Sequence, residues 1–233
     1  MVTSLEHLRK SPLFANLNNN DFQQVEAAVR YKRVAGGKPL MDANQPGSMV
    51  YFILEGSVKV FDEDSEGRLV VLALLGPSEI VGEMSVLDSS LRSASVVVQE
   101  PSLVAWVDSD TFNHWRSRMP SLSIALTELL ARRLRLANAQ IRALSTLDVR
   151  GRVARLLLTF AEEYGEPQTG GSTMISLRLT QSDLAGLTGS TRVRVNQTLS
   201  AWKRSGYIQL HTDYRIEIRD FAPLRRLCDM PSS

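Results

Sequence analysis

A chain of 233 residues, 43% hydrophobic and 22% charged, is long enough for two modules and falls far from the composition of disordered proteins. A single cysteine, Cys228, excludes an intramolecular disulfide, a cysteine-rich zinc site and a cysteine-held iron–sulfur cluster, and the scattered His7, His114 and His211 make no metal set. The net charge of +2 is uneven: residues 150–233 carry twelve Arg or Lys against eight Asp or Glu, the first 149 fifteen against seventeen, a bias that suits a C-terminal polyanion site unless it is chance scatter.

Near the N-terminus, Asn18-Asn-Asn-Asp21 followed by Phe22, Val25 and Val29 predicts a short capped helix. From Lys32 to Val107, short apolar runs (Val50–Leu54, Ser57–Phe61, Leu69–Leu74, Ala94–Val98) alternate with turn signals at Gly36-Gly37, Pro46-Gly47, Glu55-Gly56, Glu66-Gly67 and Gly76-Pro77. The pattern predicts an antiparallel barrel or roll. Ser109-Asp110 then precedes a short helix ending near Met119, and Pro120 opens a longer one. Leu126, Leu130, Leu134, Ala137, Ile141 and Leu144 trace an apolar stripe along a helix to Leu147, roughly 40 Å long at 1.5 Å per residue. That length suits a two-fold, coiled-coil-like seam better than a helix buried in its own monomer, although Arg132, Arg133 and Arg135 interrupt a strict heptad. Asp148 caps a further helix through Val153, Leu157 and Phe160 that ends near Gly165 in a loop. A short strand at Met174–Leu177 and a hairpin, Tyr207–Leu210 with Arg215–Ile218, complete the order. The fold class is α+β, with expected domains at 1–119 (roll and flanking helices), 120–147 (long helix) and 148–233 (winged helix-turn-helix).

Leu179–Gly206 carries the strongest local signal. Thr180 with Asp183 resembles a capping box, Gly189 breaks the first helix, and Ser190 is the expected cap of the second. Val195, Leu199 and Trp202 form its buried stripe, leaving Thr191, Arg192, Val193, Arg194 and Gln197 at the exposed N-terminal end. An arginine bonds guanine O6 and N7, and a glutamine does the same at adenine, so this end suits a DNA major groove, with Arg192 the foremost base-reader. The alternative is a surface helix pair with solvated arginines.

Ile80–Ser95 does not resemble a strand. Gly82 permits close backbone approach, a short helix from Glu83 aims amides at an anion, and Arg92-Ser93 adds charge and a hydroxyl. Glu83 suits a neutral hydroxyl there; a Gly turn with a Glu83–Arg92 salt bridge is the alternative. Gly82-Glu83, nine residues from Glu83 to Arg92, and then Ser93-Ala94 resemble the phosphate-binding cassette of cyclic-nucleotide-binding domains. With Leu54-Glu-Gly-Ser-Val58, Ala131-Arg-Arg-Leu134, Leu147–Val153 and the helix-turn-helix, the chain resembles the cyclic-AMP receptor protein and fumarate–nitrate regulator family of bacterial transcription factors, from about Leu13 to Ile218.

That resemblance implies a cyclic nucleotide, cyclic AMP foremost, held by Gly82, Glu83, Met84, Ser85, Arg92 and Ser93, with Arg133 and Asn138 on the long helix. Glu83 takes the ribose 2′-OH, and Arg92 and Ser93 take the cyclic phosphate. Ala137 and Asn138 stand where cyclic-AMP-responsive members carry Thr-Ser against the adenine; Asn138 keeps a donor and an acceptor, Ala137 neither. Thr180, Gln181, Ser182 and Thr191 are implied phosphate contacts. Val193 replaces a glutamate and cannot accept from cytosine N4. No His or Cys lies between Lys32 and Val107, so haem, like an iron–sulfur cluster or any other metal, is not expected. The expected protein is a cytoplasmic homodimer, not an enzyme, without a secretory leader or membrane span. It binds near-palindromic double-stranded DNA under cyclic-nucleotide control and partners RNA polymerase. A regulator without an effector and a nucleotide-gated interaction scaffold are the alternatives.

Overall fold

The structure, a computed structural model, describes residues 4–63, 66 and 69–229; Gly67 of the expected Glu66-Gly67 turn lies outside them. The chain divides into two compact units, Met1–Arg68 with Leu72–Leu134, and Leu69–Val71 with Arg135–Ser233.

In order, the first part contains α1 (Ser4–Lys10), α2 (Asn19–Ala28), β1 (Arg30–Val34), β2 (Pro39–Met41), β3 (Met49–Glu55), β4 (Val58–Glu63), β5 (Leu69–Leu75), β6 (Ile80–Val81), α3 (Glu83–Leu87), β7 (Ser95–Val98), β8 (Ser102–Asp108), α4 (Ser109–Arg118) and α5 (Pro120–Thr146). Two four-stranded sheets, β1-β8-β3-β6 and β2-β7-β4-β5, make the expected antiparallel roll. The uninterrupted apolar run Val50–Leu54 has a simple cause: β3 is covered on both faces. Val50, Phe52 and Leu54 join Phe14, Phe112, Trp115 and Leu122 in one core, while Ile53 joins Val34, Val58, Val81, Val96, Val98 and Val104 in another. Phe14 and Phe52 pack with ring centroids 5.0 Å apart and planes inclined by 60°. Each fully buried side chain of this size stabilises the unit by roughly 1.5–3 kcal/mol.

Asn18 caps α2 as the sequence predicts, accepting from the Asp21 amide at 2.9 Å. Asp108 caps α4, one residue ahead of the expected pair, accepting from the Thr111 amide at 2.8 Å. On α5 the apolar stripe is not one face. Steps of four advance about 40° around a helix, so Leu126, Leu130 and Leu134 rotate from inside to outside. Leu126 is buried and Leu130 packs against the same core, whereas Leu134 is 62% exposed.

Beyond α5 come α6 (Val149–Tyr164), β9 (Gly165–Pro167), β10 (Thr173–Ile175), α7 (Gln181–Leu187), α8 (Arg192–Arg204), β11 (Ile208–Leu210), β12 (Ile216–Ile218) and α9 (Phe221–Asp229). Asp148 caps α6 through the Gly151 amide at 2.7 Å. Gly165 does not open a loop: with φ −83° it passes straight into β9, which pairs with β10 in the sheet β11-β12-β10-β9. Leu224 of α9 is fully buried, and α9 closes so tightly on α6 that a Cβ at Gly151 would stand 2.9 Å from the Leu227 carbonyl oxygen. Gln140, late on α5, donates to the Leu187 carbonyl at 2.8 Å, one of the orphan acceptors at the end of α7. Among the described residues no helix is long and apolar enough to cross a membrane.

Candidate functional site

Gly82 joins β6 to the five-residue α3 at φ +86°, a left-handed backbone that favours glycine. A Cβ there would stand 2.5 Å from Arg92 Nη1 and 2.8 Å from the Met49 carbonyl oxygen, so the guanidinium packs directly on the backbone. Arg92 is only 6% exposed. It donates to the carbonyls of Gly82 at 2.6 Å and Met49 at 2.5 Å and to Ser85 Oγ at 2.8 Å. Among the described residues it forms no ion pair, and burial pulls its pKa below the usual value, with Tyr51 and Glu83 working against that shift. Ser85 is buried, while Met84 and Ser93 are exposed side by side, Ser93 Oγ 4.0 Å from Met84 Sδ. A buried cation beside left-handed Gly82, hydrogen-bonded to two carbonyls and a hydroxyl and to no carboxylate among the described residues, fits a small anion such as a cyclic phosphate.

Glu83 does not pair with Arg92. Its carboxylate, 2% exposed as a residue, accepts from Arg133 Nη1 at 2.6 Å. Arg133 also bonds Glu79 Oε2 and the Ile80 carbonyl, both at 2.6 Å, and Arg132 pairs with the other Glu79 oxygen. Glu79 is thus a buried member of a four-residue ion network, with partly exposed Arg132 and Arg133, that sequence reasoning missed. The two acids differ sharply. Burial pushes Glu79 up, but Arg133 and Arg132 together outweigh it and hold the carboxyl below its usual range. At Glu83 burial prevails over Arg133 and the pKa is raised. Gly82, Glu83, Ser85, Arg92 and Arg133 therefore come together in one unit with Met84 and Ser93 at its rim. Asn138 is exposed on α5 and belongs to the other unit.

In the helix-turn-helix, Thr180 caps α7, accepting from the Asp183 amide at 3.1 Å and donating to its carboxylate. Gly189 (φ +56°) makes the turn. The cap of α8 is Thr191, which accepts from the Arg194 amide at 3.3 Å; buried Ser190 Oγ has no hydrogen-bond partner among the described residues. The left-handed glycine turns the chain one residue later than the expected Ser190 cap requires. Val195, Thr198, Leu199 and Trp202 bury one face of α8, and Thr191, Arg192, Val193, Arg194, Asn196 and Gln197 are exposed. Ser182 is also exposed and Thr180 and Gln181 partly so. Asn196, absent from the sequence prediction, accepts from Gln181 Nε2 at 2.9 Å and braces α8 against the start of α7. Among the described residues no cluster of three or more His, Cys, Asp or Glu can hold a metal ion.

Residues 31–118 match the family described as a cyclic nucleotide-binding domain, and residues 151–227 match the Crp-like helix-turn-helix domain. Over 221 residues the chain is 33% identical to the cyclic AMP receptor protein of Thermus thermophilus, covering 94% of this chain and 98% of that one. It is 34% identical over 174 residues to the CRP-like cAMP-activated global transcriptional regulator of Mycobacterium tuberculosis, covering 75% and 77%. Among solved structures, the Thermus thermophilus catabolite activator protein is similar with a TM-score of 0.52 at 30% identity, over 94% of this chain and 99% of that one. FixK2 of Bradyrhizobium japonicum shares the fold, with a TM-score of 0.74 at 20% identity over 85% and 96%. Together with the roll, the buried arginine cradle and the helix-turn-helix, these matches make the chain a member of the cyclic AMP receptor protein family, the cyclic-nucleotide-binding transcription regulators.

Proposed function

We propose that the protein is a cytoplasmic, non-catalytic homodimer whose affinity for near-palindromic DNA is controlled by cyclic AMP bound in the roll. The observation that carries this is Arg92, a buried guanidinium without a carboxylate partner among the described residues, packed on left-handed Gly82. Two relatives are named for cyclic AMP. Arg92 and Ser93 would take the phosphate, and Glu83, kept in place by Arg133, would accept from the ribose hydroxyl. Gly82, Met84 and Ser85 form the rest of the cradle. Thr180, Gln181, Ser182 and Thr191 would meet DNA phosphates while Arg192, Val193, Arg194 and Gln197 face the bases. RNA polymerase is the further partner implied by the family.

The dimer rests on α5. Ile124, Thr127, Ala131, Leu134, Asn138 and Ile141 are all exposed and recur at steps of three and four, the period of a two-stranded seam. On that stripe Asn138 would face the partner helix, and a polar residue at one seam position fixes register. Ile141→Glu is expected to give a folded monomer, because Ile141 is 62% exposed. Sedimentation velocity checks this, and an unchanged dimer would move the interface elsewhere. Two recognition helices set about 34 Å apart can then enter successive major grooves on one DNA face.

A regulator without an effector has one observation in its favour: Arg92 donates three hydrogen bonds within the roll, to Gly82, Met49 and Ser85. Titrating cyclic AMP into a mobility-shift assay at fixed salt, on duplexes selected from a random pool, separates the two. Cyclic-AMP-dependent retention is expected. Equal retention without nucleotide would favour the effector-free regulator.

A further inference from the structure

The burial pattern of α8 fixes which side chains point straight out. With 3.6 residues per turn, the direction opposite the mean of Val195, Thr198, Leu199 and Trp202 falls between Val193 and Gln197, while Arg192 and Arg194 lie roughly 100° to either side. Val193 is 64% exposed, an unusual setting for a β-branched apolar side chain that helices do not favour. Gln197 is exposed one turn further on, within about 6 Å of Val193 by helix geometry. Its carboxamide has no hydrogen-bond partner among the described residues, whereas the neighbouring Asn196 is held by Gln181 and Ser200. At the N-terminal end of α8 the centre of the exposed face is therefore a methyl pair beside a free carboxamide, with Arg192 and Arg194 at its flanks.

In the major groove a thymine offers a 5-methyl group, and its paired adenine offers an acceptor at N7 and a donor at N6. A valine satisfies the first by apolar contact, and a glutamine satisfies the second with its own donor and acceptor. A G·C pair set against the same residues leaves the cytosine amine facing methyl groups with no acceptor, an unpaired donor in a dehydrated contact. Resting on the DNA-binding function proposed above, we infer that Val193 and Gln197 act together as an adenine–thymine reader, Val193 sensing the thymine 5-methyl group and Gln197 the adenine edge. They are specificity-determining residues, distinct in role from Arg192 and its guanine. The recognised half-site accordingly has A·T pairs at the positions under the middle of α8.

Atomic substitution in the DNA tests this without altering the protein. Deoxyuridine keeps every hydrogen-bonding group of thymidine and lacks only the methyl. Selected half-sites would be resynthesised with deoxyuridine at one position at a time, and the affinity of the full-length, cyclic-AMP-supplemented protein measured for each. One thymine per half-site is expected to be sensitive, with a loss of about fourfold per half-site, the worth of one buried methyl group. Val193→Ala should weaken binding to unmodified DNA and no longer distinguish deoxyuridine from thymidine at that position. Gln197→Ala should reduce the preference for A·T over G·C under α8 by roughly tenfold. Indifference to deoxyuridine at every position, or undiminished sensitivity in Val193→Ala, would overturn the inference while leaving DNA binding intact. Failure to select any duplex would overturn DNA binding itself, and the inference with it.

Discussion

Arg92→Ala is expected to abolish cyclic AMP binding in isothermal titration calorimetry while the protein keeps its fold. Two charge-assisted hydrogen bonds to a shielded phosphate are together worth roughly 3 kcal/mol or more, a loss beyond about a hundredfold in affinity. The fold survives because Arg92 contributes no apolar core and, among the described residues, no ion pair. What it leaves behind is the carbonyls of Gly82 and Met49 and the Ser85 hydroxyl, which water entering the emptied cradle can satisfy. Arg92→Lys sharpens the test. It keeps the charge but loses the planar fork that spans two backbone carbonyls and a hydroxyl, so affinity should fall between the other two proteins. Equal nucleotide affinity in wild type and Arg92→Ala would remove the cradle from the ligand site.

Glu79→Gln should have the largest effect on stability. Glu79 is 5% exposed and holds both Arg132 and Arg133, and Arg133 in turn holds Glu83. Removing one partner of a buried pair leaves charge without compensation, at a cost of about 3 kcal/mol, the lower end of the usual range because both arginines reach some solvent. Urea unfolding should show a lower midpoint with an unchanged slope. The pH dependence identifies the cause. The Glu79 pKa is held below its unfolded value of 4.5, so its contribution is complete above that value and is lost as pH falls through the folded pKa. Glu83 works in the opposite direction: its pKa is raised above 4.5, so its contribution declines as pH rises from 4.5 through the folded pKa. Glu79→Gln should therefore remove part of the acid-side loss and also shrink the Glu83 branch, because the Glu79 charge helps to raise the Glu83 pKa. A variant as stable as wild type at neutral pH would show that the network adds nothing to the roll.

What could be read from the sequence was what local spacing determines. Asn18, Asp148 and Thr180 act as caps because the cap and the amide it serves are three residues apart. The cradle was legible for the same reason: Gly82, Glu83, Ser85 and Arg92 lie within eleven residues, and Gly82 needs its left-handed turn. The cap of α8 was misplaced by one residue because Ser190 and Thr191 are chemically equivalent candidates, and only the geometry after Gly189 separates them. The Glu79 network was hidden because its partners stand more than fifty residues away, on a helix whose arginines interrupt an apolar pattern. The only local hint was an acid set directly before buried Ile80 and Val81. Three-residue β9, Gly-Glu-Pro, has no alternation to read and exists through its pairing with β10. The stripe on α5 misled because steps of four look periodic while turning steadily around the helix, which carried Leu126 and Leu134 to different environments.

The most direct test of nucleotide control is thermodynamic reciprocity. If cyclic AMP tightens DNA binding by some factor, DNA must tighten cyclic AMP binding by the same factor, because both act on one equilibrium between conformations. Calorimetric titration of cyclic AMP into the protein, free and saturated with its selected duplex, measures that factor. A tighter nucleotide constant on DNA, matching the shift in DNA affinity, is the predicted result; identical constants with and without the duplex would contradict it.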